Sequence, residues 1–183
     1  MIEDVFNGIS LKFLTDNGVF SPNRLDAGTK LMLSAADLGP GDKALDLGCG
    51  YGFVGVYLKK KFGCEVFMSD SDAACVQLSR ENLALNGAEG VEVIHSDAFR
   101  NISVSGFNAI FSNPPYHADF SVAREFIEKG FNRLVIGGRM YMVTRRLDWY
   151  KNKLIAIFGG VKIIRAGGYF VFVAEKRQSA YFK

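Results

Sequence analysis

From Lys43 onward, short apolar or β-branched runs alternate with longer helical patterns, and this alternation commits the chain to crossover units around a parallel sheet. The pattern predicts strands at Ala44 to Leu47, Glu65 to Ser69, Val91 to His95, Ala109 to Ser112, Arg139 to Val143, Lys162 to Ala166 and Tyr169 to Ala174. Helices are expected at about Phe53 to Phe62, Asp72 to Asn86, Asp119 to Ile136 and Asp148 to Phe158. Only Gly167-Gly168 joins the last two strands, too short a link for a parallel crossover, so they must form an antiparallel hairpin. The expected class is α/β, with a seven-stranded, mostly parallel, doubly wound sheet and helices on both faces.

Upstream, Ile9, Leu11 and Phe13 alternate with Ser10 and Lys12. Asn17-Gly18 is a turn signal, so a small β-hairpin is expected before a first helix from about Asn23 to Asp37. With 183 residues, 49% hydrophobic and 22% charged, the chain is long and apolar enough for a sizeable core, and disorder is excluded. We divide it as a single domain, 1–183, with residues 1–20 an N-terminal hairpin and 21–183 a catalytic core. No run approaches the length of a membrane span, and Met1-Ile2-Glu3-Asp4 does not begin a signal peptide, so a cytoplasmic location without membrane association is expected.

Cys49, Cys64 and Cys75 match no zinc spacing, and only His95 and His117 are available as imidazole partners, so no metal is expected. The cysteines read as small buried apolar residues. Net charge is +3, yet residues 139–183 carry ten Lys and Arg against Asp148 and Glu175. That asymmetry points to a polyanionic partner or to a solvated basic surface.

Leu45-Asp46-Leu47 ends a strand and Phe53 begins a helix, so Gly48, Gly50 and Gly52 lie where the backbone turns sharply and a ligand approaches closely. Gly50 to Gly55 also satisfies G-x-G-x-x-G, with Asp70 twenty residues past Gly50, which brings a nicotinamide dinucleotide into consideration. Asp46 argues against it, because a carboxylate would lie where a pyrophosphate needs positive potential. For S-adenosylmethionine, which carries an ammonium and a sulfonium, the same carboxylate is favourable. Asp70 is suited to accept from ribose hydroxyls, and Asp97 from an adenine amino group.

About sixty residues beyond that loop, Asn113-Pro114-Pro115-Tyr116 follows a short apolar strand. An Asn side-chain carbonyl and a Pro main-chain carbonyl both accept hydrogen bonds from an –NH2 group, and an aromatic ring stacks on the ring bearing it. In a doubly wound sheet the fourth strand adjoins the first, so this loop faces the same crevice as the glycine loop. The combination predicts methyl transfer to a planar amine by orientation and electrostatic stabilisation. His117 reads as a polar loop residue rather than a base.

These motifs resemble the class I S-adenosylmethionine-dependent methyltransferases of the "small" methyltransferase domain family. Within it, Gly18-Val19-Phe20-Ser21 followed by Leu25-Asp26-Ala27-Gly28-Thr29 is similar to the entry segment of the small-subunit ribosomal RNA guanine-N2 methyltransferases and their compact archaeal relatives. The resemblance implies a Rossmann-like class I methyltransferase fold. It assigns Asp46, Gly48, Gly50 and Gly52 to the methionine end of the cofactor, Asp70 to the ribose and Asp97 to the adenine, with Phe20 and Thr29 packing over it. Asn113, Pro114 and Tyr116 take the target amine, with Asn113 also beside the cofactor.

By the same resemblance the substrate is RNA, foremost ribosomal RNA. The bacterial enzymes' second, N-terminal half is expected to have no counterpart here, so specificity is expected from the hairpin before Ser21, the loop after Tyr116, the basic C-terminal third including Arg145-Arg146, or a homodimer mate or partner protein. The alternatives are adenine N6 or a protein glutamine at the same site, a non-catalytic RNA- or partner-binding protein, and a nicotinamide oxidoreductase.

Overall fold

Near-continuous apolar strands are stable only when both faces of their sheet are covered, and this sheet is covered in that way. The computed structural model describes residues 1–16, 18, 21, 23–114 and 119–181. In chain order these form β1 (Ile2–Phe6), β2 (Ile9–Phe13), α1 (Ala27–Ser34), β3 (Lys43–Leu47), α2 (Phe53–Phe62), β4 (Glu65–Asp70), α3 (Ala73–Leu85) and β5 (Glu92–His95). There follow β6 (Phe107–Ser112), α4 (Phe120–Arg133), β7 (Leu134–Thr144), α5 (Asp148–Phe158), β8 (Lys162–Ala166) and β9 (Tyr169–Glu175). The main sheet has seven strands in the order β5-β4-β3-β6-β7-β9-β8. The first five are parallel, and β9 runs antiparallel to both β7 and β8. The expected class and the C-terminal hairpin are both present.

Side-chain alternation along each strand divides the core. Ala44, Val66, Met68 and Phe111 pack with α1, α2, α3 and the β1–β2 hairpin, whereas Leu45, Leu47, Phe67 and Ile110 pack with α4 and α5. The chain builds outward from β3 to β5 and then returns to the other side of β3 with β6. The loops after β3 and β6 therefore flank a switch point, where open sheets of this kind bind ligands. The pairing of Asp46 with Phe111 sets their relative height, and Ser112 Oγ donates to the Leu47 carbonyl at 2.9 Å across the strand ends.

Among the boundaries that differ from expectation, three have a local physical cause. The hairpin turns at Asn7-Gly8, both at positive φ (49° and 77°), and pairs Phe6 with Ile9, whereas Asn17 of the expected Asn17-Gly18 turn lies outside the described residues. An Asn-Gly pair supplies the conformation that a two-residue hairpin needs, and the apolar Ile2–Phe6 segment provides the partner strand. Helix α4 stops at Arg133, not Ile136, because Val135 and Ile136 are β-branched and continue into β7, with a register shift near Gly137-Gly138. Helix α1 is shorter than Asn23 to Asp37, since Asp26 caps it by accepting from the Thr29 amide.

The hairpin exit is clamped by α3. The fully buried Asn82 accepts from the Leu14 amide at 2.7 Å and donates to the Leu14 carbonyl at 2.9 Å and to the Tyr51 carbonyl in the glycine loop at 2.7 Å. Asn82→Ala leaves those three backbone groups without their partner. It should lower unfolding stability by about 2–3 kcal/mol in urea titrations; an effect below about 0.5 kcal/mol would contradict the clamp.

Candidate functional site

The β3–α2 turn is shaped by three glycines in the left-handed region: Gly48 at φ 78°, Gly50 at φ 56° and Gly52 at φ 95°. A Cβ on Gly52 would also lie 3.1 Å from Met68 Cε and 3.3 Å from Ser79 Cα, so the turn can press against α3 and β4 only without a side chain. Ser79 Oγ donates to the Gly50 carbonyl at 2.9 Å, and the Gly48 and Cys49 amides both donate to the Ser69 carbonyl at 2.9 Å. The turn is thus held from both sides.

Beneath it, Asp46 is 2% exposed and accepts from the Gly55 amide in the first turn of α2 at 3.0 Å. The helix N-terminus favours the charged form, yet desolvation outweighs that contact and pushes the Asp46 pKa up to about 7, with the nearby Asp70 carboxylate adding to the rise. Asp70, at the end of β4, accepts from the Gly50 amide at 2.9 Å and the Asp72 amide at 3.0 Å. Asp97 stands exposed at the rim after β5, 3.5 Å from Arg100. Asp72 and Asp119 cap α3 and α4.

These residues line a cavity of about 370 Å³, within the range of small-molecule sites. Its described lining includes Asp26, Thr29, Asp46, Gly48, Gly50, Asp70, Asp97, Asn113, Pro114 and Glu125, and no Lys or Arg. Gly52 heads α2 behind this surface. Such a lining repels a pyrophosphate and attracts a cation. Phe20, Pro115, Tyr116 and His117 lie outside the described residues.

Asn113 enters the cavity from the end of β6. Its Nδ2 donates to Thr29 Oγ1 at 3.0 Å and to Asp26 Oδ2 at 3.2 Å. Because a carboxylate oxygen can only accept, this pairing fixes which end of the amide is which. Asn113 Oδ1 is buried and has no hydrogen-bond partner among the described residues. Leaving such an acceptor unpaired costs about 1–3 kcal/mol, which a ligand N–H would recover. Ser69 Oγ, also lining the cavity, is likewise buried without a partner.

The structure brings Asp46, Gly48, Gly50, Asp70, Asp97, Thr29, Asn113 and Pro114 around one cavity. Sequence reasoning gave Asp26 no role of its own; its signal was that of an N-cap directly before a helix, hidden because the expected helix begins at Asn23, four residues before Ala27. Ser112 and Asn82 act through long-range backbone contacts that no local pattern announces. Cys49 and Cys64 are buried with thiols raised by burial, while Cys75 is only partly buried, its thiol pushed up to about 11. Among the described residues there is no cluster able to hold a metal ion, and no helix is long and apolar enough to cross a membrane.

Residues 10–173 match the family model described as methyltransferase small domain. A ribosomal RNA small subunit methyltransferase C from Pasteurella multocida is 40% identical over 147 residues, covering 78% of this chain and 44% of that protein. An uncharacterised Bacillus subtilis protein, YbxB, is 32% identical over 171 residues, covering 90% of this chain and 85% of its own length. Among solved structures, the 16S rRNA N2 guanine methyltransferase RsmC of T. thermophilus, in complex with AdoMet and guanosine, superposes with a TM-score of 0.89 at 30% identity. That match covers 96% of this chain and 50% of the other, so the chain spans about half the length of these methyltransferase relatives.

The raised Asp46 pKa makes a signed prediction for the ligand-free protein. The group is neutral in the fold and ionised in the unfolded chain between about pH 4 and 7, so its contribution to stability is complete below the ordinary value of 3.8 and lost as pH rises to about 7. Relative to Asp46→Asn, wild-type stability should fall over that window by a few kcal/mol, at about 1.4 kcal/mol per pKa unit, and level off above it. A pH-independent difference in chemical denaturation would contradict the burial argument.

Proposed function

We propose that this chain, which belongs to the methyltransferase small domain family, is an S-adenosylmethionine-dependent N-methyltransferase acting on the exocyclic amine of a guanine in RNA, foremost ribosomal RNA in the cytoplasm. One observation carries the reading: the buried, unpartnered Asn113 Oδ1 lies at a cavity whose described lining bears acids and no bases. An acceptor so placed is complementary to an amine, and the acidic wall to a cationic methyl donor.

The residues fit that cofactor. Asp46 and the turn at Gly48, Gly50 and Gly52 would hold its methionine end, where the ammonium repays the desolvation of Asp46. Asp70 retains lone pairs for ribose hydroxyls after accepting from Gly50 and Asp72, and Asp97 at the rim suits an adenine amine. When bound, S-adenosylmethionine supplies a methyl group activated by its sulfonium.

An exocyclic amine is a poor nucleophile because its lone pair is delocalised into the ring. Asn113 Oδ1 and the Pro114 carbonyl accept its two N–H groups, which favours a pyramidal nitrogen and aims the lone pair at the methyl group. Transfer would form the N–CH3 bond as the sulfonium S–CH3 bond breaks, leaving S-adenosylhomocysteine as a neutral thioether, and the now acidic amine would release a proton to water, so no strong base is required. Tyr116 is assigned to stacking on the base by the family pattern.

A stacked, paired guanine cannot reach this cavity, so the substrate base must be unpaired or flipped. At the start of α4, the exposed Arg146 guanidinium lies 5.0 Å from the Phe120 ring, which stacks on Trp149 at 4.3 Å. The exposed Arg145 lies 4.6 Å over Tyr169. Cationic and aromatic groups in this arrangement suit single-stranded nucleic acid.

The direct test supplies methyl-labelled S-adenosylmethionine with RNA, DNA and protein fractions and identifies the product. Label in N2-methylguanosine from RNA is expected; label in adenine or glutamine would move the assignment to that amine, and no label from folded protein would overturn it. Asn113→Ala should cut turnover about 10²- to 10³-fold, the usual cost of removing one stabilising contact. Cofactor affinity should change little, and its loss in step with turnover would contradict the amine-acceptor role. Replacing Arg145 and Arg146 with Ala should weaken RNA binding and flatten its salt dependence, whereas an unchanged salt slope would return both to ordinary surface residues.

A further inference from the structure

Resting on the N-methyltransferase reading above, we infer that Asp26 is a positioning residue: its carboxylate locks the Asn113 side-chain amide in the orientation that presents Oδ1 to the substrate amine. Four donors from three separate parts of the fold converge on this one buried carboxylate. The Thr29 amide donates to Oδ2 at 2.7 Å and the Thr29 hydroxyl at 2.9 Å, both from α1. Asn113 Nδ2 donates to the same oxygen at 3.2 Å from the end of β6, and Tyr169 Oη donates to Oδ1 at 3.3 Å from the start of β9.

Capping α1 explains only the first of these contacts. Ser or Asn would cap as well, and a cap has no use for donors from β6 and β9. The convergence instead fixes every proton direction in the cluster. Thr29 spends its hydroxyl proton on Asp26 and so meets Asn113 Nδ2, at 3.0 Å, as an acceptor. Tyr169 spends its proton on Asp26 and accepts from Arg145 Nη2 at 3.1 Å. Asn113 Nδ2 thus faces two acceptors, and a flipped amide would set its oxygen against the carboxylate.

The consequence appears at the other end of the same amide, where Oδ1 is left buried and unpaired among the described residues. Rotated by half a turn, Asn113 would offer two N–H donors to an incoming amine, donor against donor, and would favour a carbonyl in its place. Asp26 therefore decides whether the site reads an amine or a carbonyl, although it need not touch the substrate. Packing secures its position: a Cβ on Gly28, two residues on, would lie 2.5 Å from the Tyr169 ring, so α1 approaches β9 more closely than any side chain at 28 permits.

The experiment pairs two readouts. In ¹⁵N-labelled ligand-free protein, the Asn113 side-chain NH2 signals are assigned by their disappearance in Asn113→Ala, and their hydrogen exchange is measured. Exchange should be slowed about tenfold or more in the wild type. That protection should be lost in Asp26→Ser, which keeps a cap but cannot reach Asn113, and retained in Asp26→Asn, whose amide oxygen can take the place of Oδ2. In kinetics, Asp26→Ser should lower kcat about 10- to 100-fold, the scale of a misplaced reacting group. KM for S-adenosylmethionine should stay within about threefold, and Asp26→Asn should restore most of the lost rate.

Where Asp26→Ser does not fold, Thr29→Val removes the second acceptor and is read in the same way. Unchanged exchange and unchanged kcat in these variants would overturn the inference, and so would a fall in kcat that Asp26→Asn fails to rescue. If the wild type methylates no amine at all, the functional reading fails, while the exchange measurements still decide whether Asp26 holds the amide.

Discussion

The adjacency of β3 and β6 is the constraint on which the rest of the molecule depends. The chain lays down β3, β4 and β5 outward and then returns to the opposite side of β3, which places the ends of β3 and β6 side by side at the switch point. The Ser112 hydroxyl on the Leu47 carbonyl joins those ends, so the glycine turn and Asn113, far apart in sequence, face one cavity. A slip of one residue between these strands would turn Asp46 and Asn113 to the wrong sides of the sheet.

Around that junction the fold accepts local costs beyond that of Ser69 Oγ, which is unpartnered among the described residues. Asp46 is buried without an opposite charge among the residues described around it, relieved only by the start of α2, and Asn113 Oδ1 is buried without a partner. Unpaired polar groups persist where a ligand completes them, and these two call for opposite chemistry, a cation and an N–H donor. A methyl donor carrying positive charge beside an exocyclic amine satisfies both. The clamps that hold the site, Asn82 on the hairpin exit and Asp26 on Asn113, are themselves fully hydrogen-bonded.

Much of this was legible in the sequence, for physical reasons. Strand and helix periodicity placed the parallel core, Gly167-Gly168 dictated the hairpin, and Asp46 before the glycines opposed a pyrophosphate. Local chemistry misled where two segments carried the same signal. Asn7-Gly8 carries the same turn signal as Asn17-Gly18, and only pairing with Ile2–Phe6 shows that it closes the hairpin. Val135 and Ile136 extend a helical hydrophobic pattern yet join β7, because sheet pairing outweighs periodicity at a chain reversal. The Asp26 cluster was not legible at all, since it assembles residues 26, 29, 113 and 169 through tertiary contacts.

The proposed role of Asn113 Oδ1 is that of amine acceptor in a cation-binding cavity. Its most direct test is a crystal structure of the protein with S-adenosylhomocysteine and guanosine, read at one distance. Guanosine N2 is expected within hydrogen-bond range of Asn113 Oδ1, about 2.7–3.2 Å, on the side of the cavity facing the cofactor sulfur. A guanosine bound with its amine turned away, or an Asn113 amide that has flipped to donate to the base, would contradict it.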